Sequence, residues 1–230
     1  MIKERNIRNL TLKIIATALC VYVLWEVNSP WLQPQSRLAL FGLLGLSFGF
    51  LHIHLIKRES IGQVLRLSDW LPVALTGVIY GYVLVQTEPV FSGLWFNSTS
   101  LGDRAGQEVT LDYAVGFLGL ILVMEATRRT IGLTLPLLTL VFLLYARFGT
   151  ALPDWLFPHR GYTWTRIMSQ TFLHSQGVFG IALKVMFTYV FPFVIFGAFL
   201  EATGATGFVI DLSRRLFRNS PGGPAKVAVL

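Results

Sequence analysis

The stretch Phe199-Leu200-Glu201-Ala202-Thr203-Gly204-Ala205-Thr206-Gly207 holds the residue types best suited to handling a small charged solute. An acid, two threonines and two glycines closing an apolar run can leave hydroxyls and backbone carbonyls outside the helical ladder. Such oxygens are hard donors for a cation or a polar solute. Glu201, Thr203, Gly204 and Thr206 are therefore the candidate residues of a substrate or ion path. The same residues also make an ordinary interfacial turn, and both readings stand. Glu125 is the second acid of interest, because Met124-Glu125 closes a short apolar run and a buried acid can serve an ion path. Arg128 and Arg129 follow it at three and four residues, the spacing of local pairing on a helix, and that simpler reading makes Glu125, Arg128 and Arg129 a charged turn at a membrane face. Lys184, flanked by apolar runs on both sides, either snorkels outward or pairs with an acid such as Glu201.

Little else points to chemistry. No G-x-x-x-x-G-K-[ST] loop is present to cradle phosphates. His52 and His54 lie two residues apart, and His159 and His174 have no neighbouring ligand pattern, so no metal centre is expected. Histidines at the end of an apolar run more often sit at headgroup level, and Cys20 reads as a packed side chain. A membrane-embedded enzyme would need His, Asp or Ser gathered at one depth. His159 and His174 near Asp154 are all the sequence offers, so no catalytic residue and no enzyme activity is expected.

The elements that position these residues follow from composition. The 230 residues are 53% hydrophobic and 13% charged, with a mean hydropathy of +0.61. A soluble domain carries about 25% charged residues, so this chain has about half the charge needed to coat a water-facing surface. Its 18 phenylalanines outnumber its 12 acidic residues. One cysteine excludes a disulfide scaffold. The net charge of +7 does not indicate nucleic acid, because the basic residues sit in small clusters between apolar runs.

The pattern predicts an all-α, polytopic transmembrane protein of about six crossings, with interfacial or re-entrant helices besides. The first run follows Lys13, the second is Leu38 to Ile56, and the third runs from Trp70 to Thr87. Residues 88–110 form a polar, exposed loop whose Glu88, Asp103 and Glu108 outnumber Arg104, a contact for a basic partner patch or a plain solvated loop. The fourth run, Tyr113 to Met124, is short even when extended back to Val109. The fifth is Ile131 to Ala146, and the sixth is Val185 to Leu200. Between these last two, residues 147–166 carry aromatic rings suited to headgroup depth, and Ile167 to Leu183 begins as an interfacial or protein-buried helix. Phe208 to Phe217 reads as a short amphipathic helix.

Topology provides an independent check. On one side fall Lys3, Arg5, Arg8 and Lys13, then Lys57, Arg58 and Arg66, then Arg128 and Arg129, then Arg214, Arg215, Arg218 and Lys226. The other side holds only Arg37, Arg104, Arg147, Arg160 and Arg166. The positive-inside rule then puts the N-terminus in the cytoplasm and requires the weak fourth crossing. The first run lacks an Ala-x-Ala cleavage site, so it reads as a retained helix rather than a signal peptide. Gly222-Gly223-Pro224-Ala225-Lys226 followed by Val227-Ala228-Val229-Leu230 has the character of a helix beginning, so the chain is expected to be the N-terminal portion of something longer.

Three stretches resemble the fused membrane subunit of TRAP transporters of the type that works with TAXI-class binding proteins. They are Leu122 to Pro136 (LVMEATRRTIGLTLP), Gly177 to Leu183 (GVFGIAL), and Phe196 to Gly204 (FGAFLEATG) together with Gly222 to Lys226. Two departures stand near the last of these: Lys184-Val185-Met186-Phe187 where a small-residue segment is common, and Ala205-Thr206-Gly207-Phe208 where an acid and aromatics are common. The resemblance implies a sodium-driven secondary transporter for small organic acids or related solutes, in which an elevator-like movement carries the solute across the cytoplasmic (inner) membrane of a prokaryote. Residues 1–110 would be small-subunit-like scaffold helices, with a periplasmic loop at 88–110. Residues 111–230 would be the start of the large transport subunit. The implied partners are an extracytoplasmic solute-binding protein, the lipid bilayer and the remainder of the large subunit; no cofactor is implied beyond sodium as coupling ion. The rival reading is a non-transporting scaffold or accessory subunit. An N-terminal tag read by mass in the source membrane separates the two: a product several hundred residues longer is expected, and one near 25.7 kDa would leave the scaffold.

Overall fold

The computed structural model describes residues 2–53, 63–151 and 153–216, and within these the side chains of all but 2–8, 63–69, 206 and 216. His54, Lys57, Arg58 and the Gly222 to Lys226 stretch lie outside the described residues. Among the described residues the chain is helical, with no strand. Helices α1 (Ile2–Asn28), α2 (Pro34–His52), α3 (Gln63–Thr87), α4 (Thr110–Thr130) and α5 (Thr134–Arg147) run up and down in turn. Short α6 (Trp164–Met168) continues through a wide turn at Ser169–Leu173. After a break at 174–180, α7 (Ile181–Val185), a second wide turn (Met186–Val190) and α8 (Phe191–Ala202) form one continuous helix. Helix α9 (Ala205–Leu216) follows directly.

Among the described residues four helical stretches are long and apolar enough to cross a membrane: Asn9–Asn28, Trp70–Thr87, Thr110–Thr130 and Ile181–Ala202. The described parts of the other two expected crossings fall short for different reasons. Helix α2 spends its first turn on Pro34-Gln35-Ser36-Arg37, while α5 has 14 residues, about 21 Å of helix. The fourth run, short by hydropathy alone, gains a full turn at each end from Thr110 and Thr130, which places Asp112 in the first turn and both arginines in the last. Acid at the start and base at the end suit the helix dipole.

Helix α2 is the centre of the packing, lying against α1 on one side and α3 on the other and touching α4. Its buried face includes Leu38, Phe41, Phe50 and Leu51. Aromatic rings tie the later helices to it: Phe41 meets Phe187 and Phe191 edge-on at 5.5 and 5.6 Å, and Tyr80, Phe172 and Phe179 form a mutual edge-to-face trio at 5.5 to 5.7 Å. Of the two readings of the start of 167–183, interfacial or protein-buried, the second holds: Ile167, Phe172 and Leu173 are buried in the bundle, and the helix is then broken at 174–180.

The break is stabilised by close approach. Val178 N–H donates to Thr171 O at 2.8 Å, folding the chain back so that a Cβ on Gly177 would lie 1.9 Å from that same carbonyl. Likewise a Cβ on Gly119 would fall 2.3 Å from the Phe172 ring, so glycine there is what lets the broken segment reach α4. Gly119→Leu is expected to lower the melting temperature of the detergent-solubilised protein, with overpacking costing about 1–3 kcal/mol. Adding Phe172→Ala should recover part of the loss, whereas no loss in the single variant would contradict this packing.

Candidate functional site

Glu201 sits in the last turn of α8, and Thr203 and Gly204 in the turn between α8 and α9; all three are exposed. Thr203 N–H donates to Phe199 O at 2.9 Å and its hydroxyl to Leu200 O at 3.1 Å, so the hydroxyl serves the helix end. Gly204 takes φ +74°, the left-handed conformation that ends a helix, and its N–H donates to Glu201 O at 3.1 Å. The side chain of Thr206 lies outside the described residues. The turn thus occupies its oxygens with helix termination, and the Glu201 carboxylate faces outward. Lys184 is likewise exposed, with no ion pair to Glu201 among the described residues.

The second predicted group comes together closely. Arg128 donates to Glu125 through Nε at 2.7 Å and Nη2 at 2.8 Å, and Arg129 Nε donates to the same carboxylate at 2.8 Å. Local pairing accounts for Glu125. Arg129 also turns inward, its side chain 4% exposed and its guanidinium 5.0 Å from the centre of the Phe50 ring on α2. The charged turn therefore fastens the end of α4 to α2.

The densest polar assembly lies at the other end, where α1 and α3 end and α2 and α4 begin. Arg104, 2% exposed, donates from Nη1 to Gln86 Oε1 (3.0 Å) and Phe96 O (3.1 Å), and from Nη2 to Asp112 Oδ1 (3.2 Å). Asp112 is fully buried, also accepting from Tyr82 OH at 2.6 Å and from Val109 N–H at 2.9 Å. Removing one member of such a buried pair strands the other charge, at a cost of about 3–5 kcal/mol. Glu26, also fully buried, accepts from the N–H groups of Trp31 and Leu32, and Glu88 accepts from that of Gln33. Two carboxylates thus hold three successive donors of the α1–α2 turn.

Glu108 and His174 close the assembly, with Glu108 Oε1 and His174 Nε2 2.9 Å apart and both side chains buried. The Gln35 amide donates to Leu173 O beside them. These contacts correct the reading of residues 88–110 as an acidic, solvated surface: Glu88 and Glu108 face inward as hydrogen-bond acceptors, and Asp103 alone of the three is exposed. His159 is not near His174 in role either; it lies edge-on between Tyr145 and Tyr162. Among the described residues no cluster of His, Cys, Asp or Glu could hold a metal ion. Burial pushes the Glu108 carboxyl up, but hydrogen bonds from His174, the backbone and Ser169 outweigh it and bring it down to about 2. Sequence spacing could not have joined Glu108 to His174, which are 66 residues apart, nor Arg104 to Gln86 across a loop.

Residues 118–230 match the family described as the tripartite ATP-independent periplasmic transporter, DctM component. No curated protein and no solved structure matches the chain. The match starts inside α4, so it covers the Glu125 group, the broken segment and the α8–α9 turn. The helical architecture and this match make the protein a multi-pass membrane protein.

Because the Glu108 carboxyl is depressed in the folded protein, its stabilising contribution is complete above the usual carboxyl value of 4.5 and is lost as pH falls toward 2. Glu108→Gln should therefore lower stability at pH 7, and the difference from the parent should shrink below about pH 4.5. Melting temperatures of both proteins across that range test it, and a difference independent of pH would contradict it.

Proposed function

We propose that this chain, which carries a portion of the membrane component of a TRAP transporter, belongs to a sodium-coupled permease for small organic acids or related solutes, supplied by an extracytoplasmic binding protein. The observation that carries the reading is the family match over 118–230, in a chain whose earlier helices pack directly on the matched part. Residues 1–110 act as small-subunit-like scaffold and residues 111–230 as the start of the large subunit, in a fused arrangement. The N-terminus lies in the cytoplasm, as the distribution of Lys and Arg favours.

Several features support a scaffold role for the described helices. The Glu125 carboxylate is neutralised by two arginines, and the acids of the loop end are all engaged in holding backbone or guanidinium groups, except exposed Asp103. The acids that remain outward, Glu201 above all, are the ones open to further contacts. Glu201, Thr203, Gly204 and Thr206 are proposed to border the path of ion or solute where the α8–α9 turn meets the rest of the transport subunit. Sodium binding would favour closure around the solute, so that the ion gradient supplies the free energy of accumulation.

The test is uptake by the full-length protein in proteoliposomes, with its binding protein loaded with a labelled organic acid outside. Uptake that requires an inward sodium gradient is expected. Transport that is indifferent to sodium would overturn the coupling, and absence of uptake with loaded binding protein would overturn the transport reading. In the same assay, Glu201→Gln is expected to raise the sodium concentration needed for half-maximal uptake, and an unchanged sodium dependence would leave Glu201 as a turn residue.

A further inference from the structure

The loop after α3 does not stand away from the bundle. It folds back alongside the helix it has just left. Trp95 Nε1–H donates to Val85 O at 3.0 Å, Gln86 Nε2 donates to Leu94 O at 2.9 Å, and Phe96 N–H donates to Gln86 Oε1 at 3.3 Å. Leu94, Trp95 and Phe96 therefore lie level with Val85 and Gln86, inside the last turn of the apolar stretch Trp70–Thr87. From below, Arg104 Nη1 binds both Gln86 Oε1 and Phe96 O, fixing the returned loop against the helix.

The composition of the returned segment fits that depth. Residues 89–98, Pro-Val-Phe-Ser-Gly-Leu-Trp-Phe-Asn-Ser, contain no charged side chain. Val90 and Leu94 are 82% and 65% exposed, both on the outside of the short helical stretch Pro89–Leu94, which a second one, Phe96–Ser98, follows. Charge reappears only at Asp103, which is exposed. At the same end of the bundle, Trp31, Trp155 and Phe157 also project outward. Exposed aromatic and aliphatic groups on an uncharged segment are the chemistry of the bilayer interface, where rings sit among headgroups and aliphatic tips reach the first methylenes.

We propose that residues 89–96 form a collar seated in the headgroup layer of the leaflet at this end, with Val90 and Leu94 directed into the upper acyl region. The occupant is lipid. Gln86 and Arg104 hold the collar at that level, so the buried polar network sets how deep α3 sits as well as how it packs. This inference rests on the membrane-spanning architecture and not on the transport reading.

The test uses the full-length protein in nanodiscs with Cys20 and any cysteine of the remaining chain replaced by Ser and a single Leu94→Cys carrying an environment-sensitive dye, with Asp103→Cys as the aqueous reference. Dye at position 94 should emit to the blue of that at 103, be quenched several-fold more by lipid brominated near the headgroup, and be protected from iodide. Gln86→Leu should abolish that difference, by freeing the collar, in protein that still elutes as a single folded species. Iodide quenching at 94 equal to that at 103 would overturn the proposal. So would protection from both quenchers, which would mean that protein covers the collar.

Discussion

A guanidinium with almost no access to solvent must have its charge answered by the protein, and Arg104 is in that position. Asp112 supplies the countercharge from the first turn of α4, Gln86 supplies an acceptor from the last turn of α3, and Phe96 supplies a carbonyl from the loop between them. The loop cannot rise, the helices cannot slide, and Tyr82 can bond Asp112 only while that register holds. The conformation of residues 88–109 thus follows from one buried charge and its three acceptors.

The rest of the bundle answers the same demand with different groups. At the loop end, carboxylates hold N–H donors that lie outside any helix, and His174 and Gln35 bring the broken segment into the same network. Deeper in, the contacts are aromatic: Tyr80, Phe172 and Phe179, then Phe41 with Phe187 and Phe191. At the opposite end, Arg129 reaches Phe50 while remaining paired with Glu125. Helix α2 supplies Gln35 at the loop end, Phe41 in the middle and Phe50 at the opposite end, which is why it is central. Beyond Phe191 the helix leaves this packing, and Phe193, Phe196 and Phe199 are exposed.

Local rules made much of this legible. Helical character and the order of the apolar helices follow from apolar runs, although four rather than six of them are long and apolar enough to cross a membrane among the described residues, and the pairing of Glu125 with Arg128 and Arg129 follows from three- and four-residue spacing. The α8–α9 turn follows from Thr203-Gly204. What the sequence concealed is long-range: an acid in a polar loop looks solvated until a histidine 66 residues away is placed against it. The break at 174–180 was hidden for a similar reason, because polar Ser175 and Gln176 suit an interface while Gly177 and Gly180 reveal their role only when the approaching carbonyls are known. The fourth run is short by hydropathy even when extended back to Val109, although an acid capping a nearby N–H is a helix-start signal that marks where α4 begins.

The two-carboxylate hold on the α1–α2 turn has a consequence for the order of assembly. Glu26 is on hand as soon as the first hairpin leaves the ribosome, and it satisfies Trp31 and Leu32 locally. Gln33 must wait for Glu88, 55 residues later in synthesis, and the Gln35 side chain for Leu173, 138 residues later. The tip of the first hairpin therefore has all its partners only once the chain extends to residue 173, and a chain cut short of that point would leave Gln33 or Gln35 without the acceptor it has here.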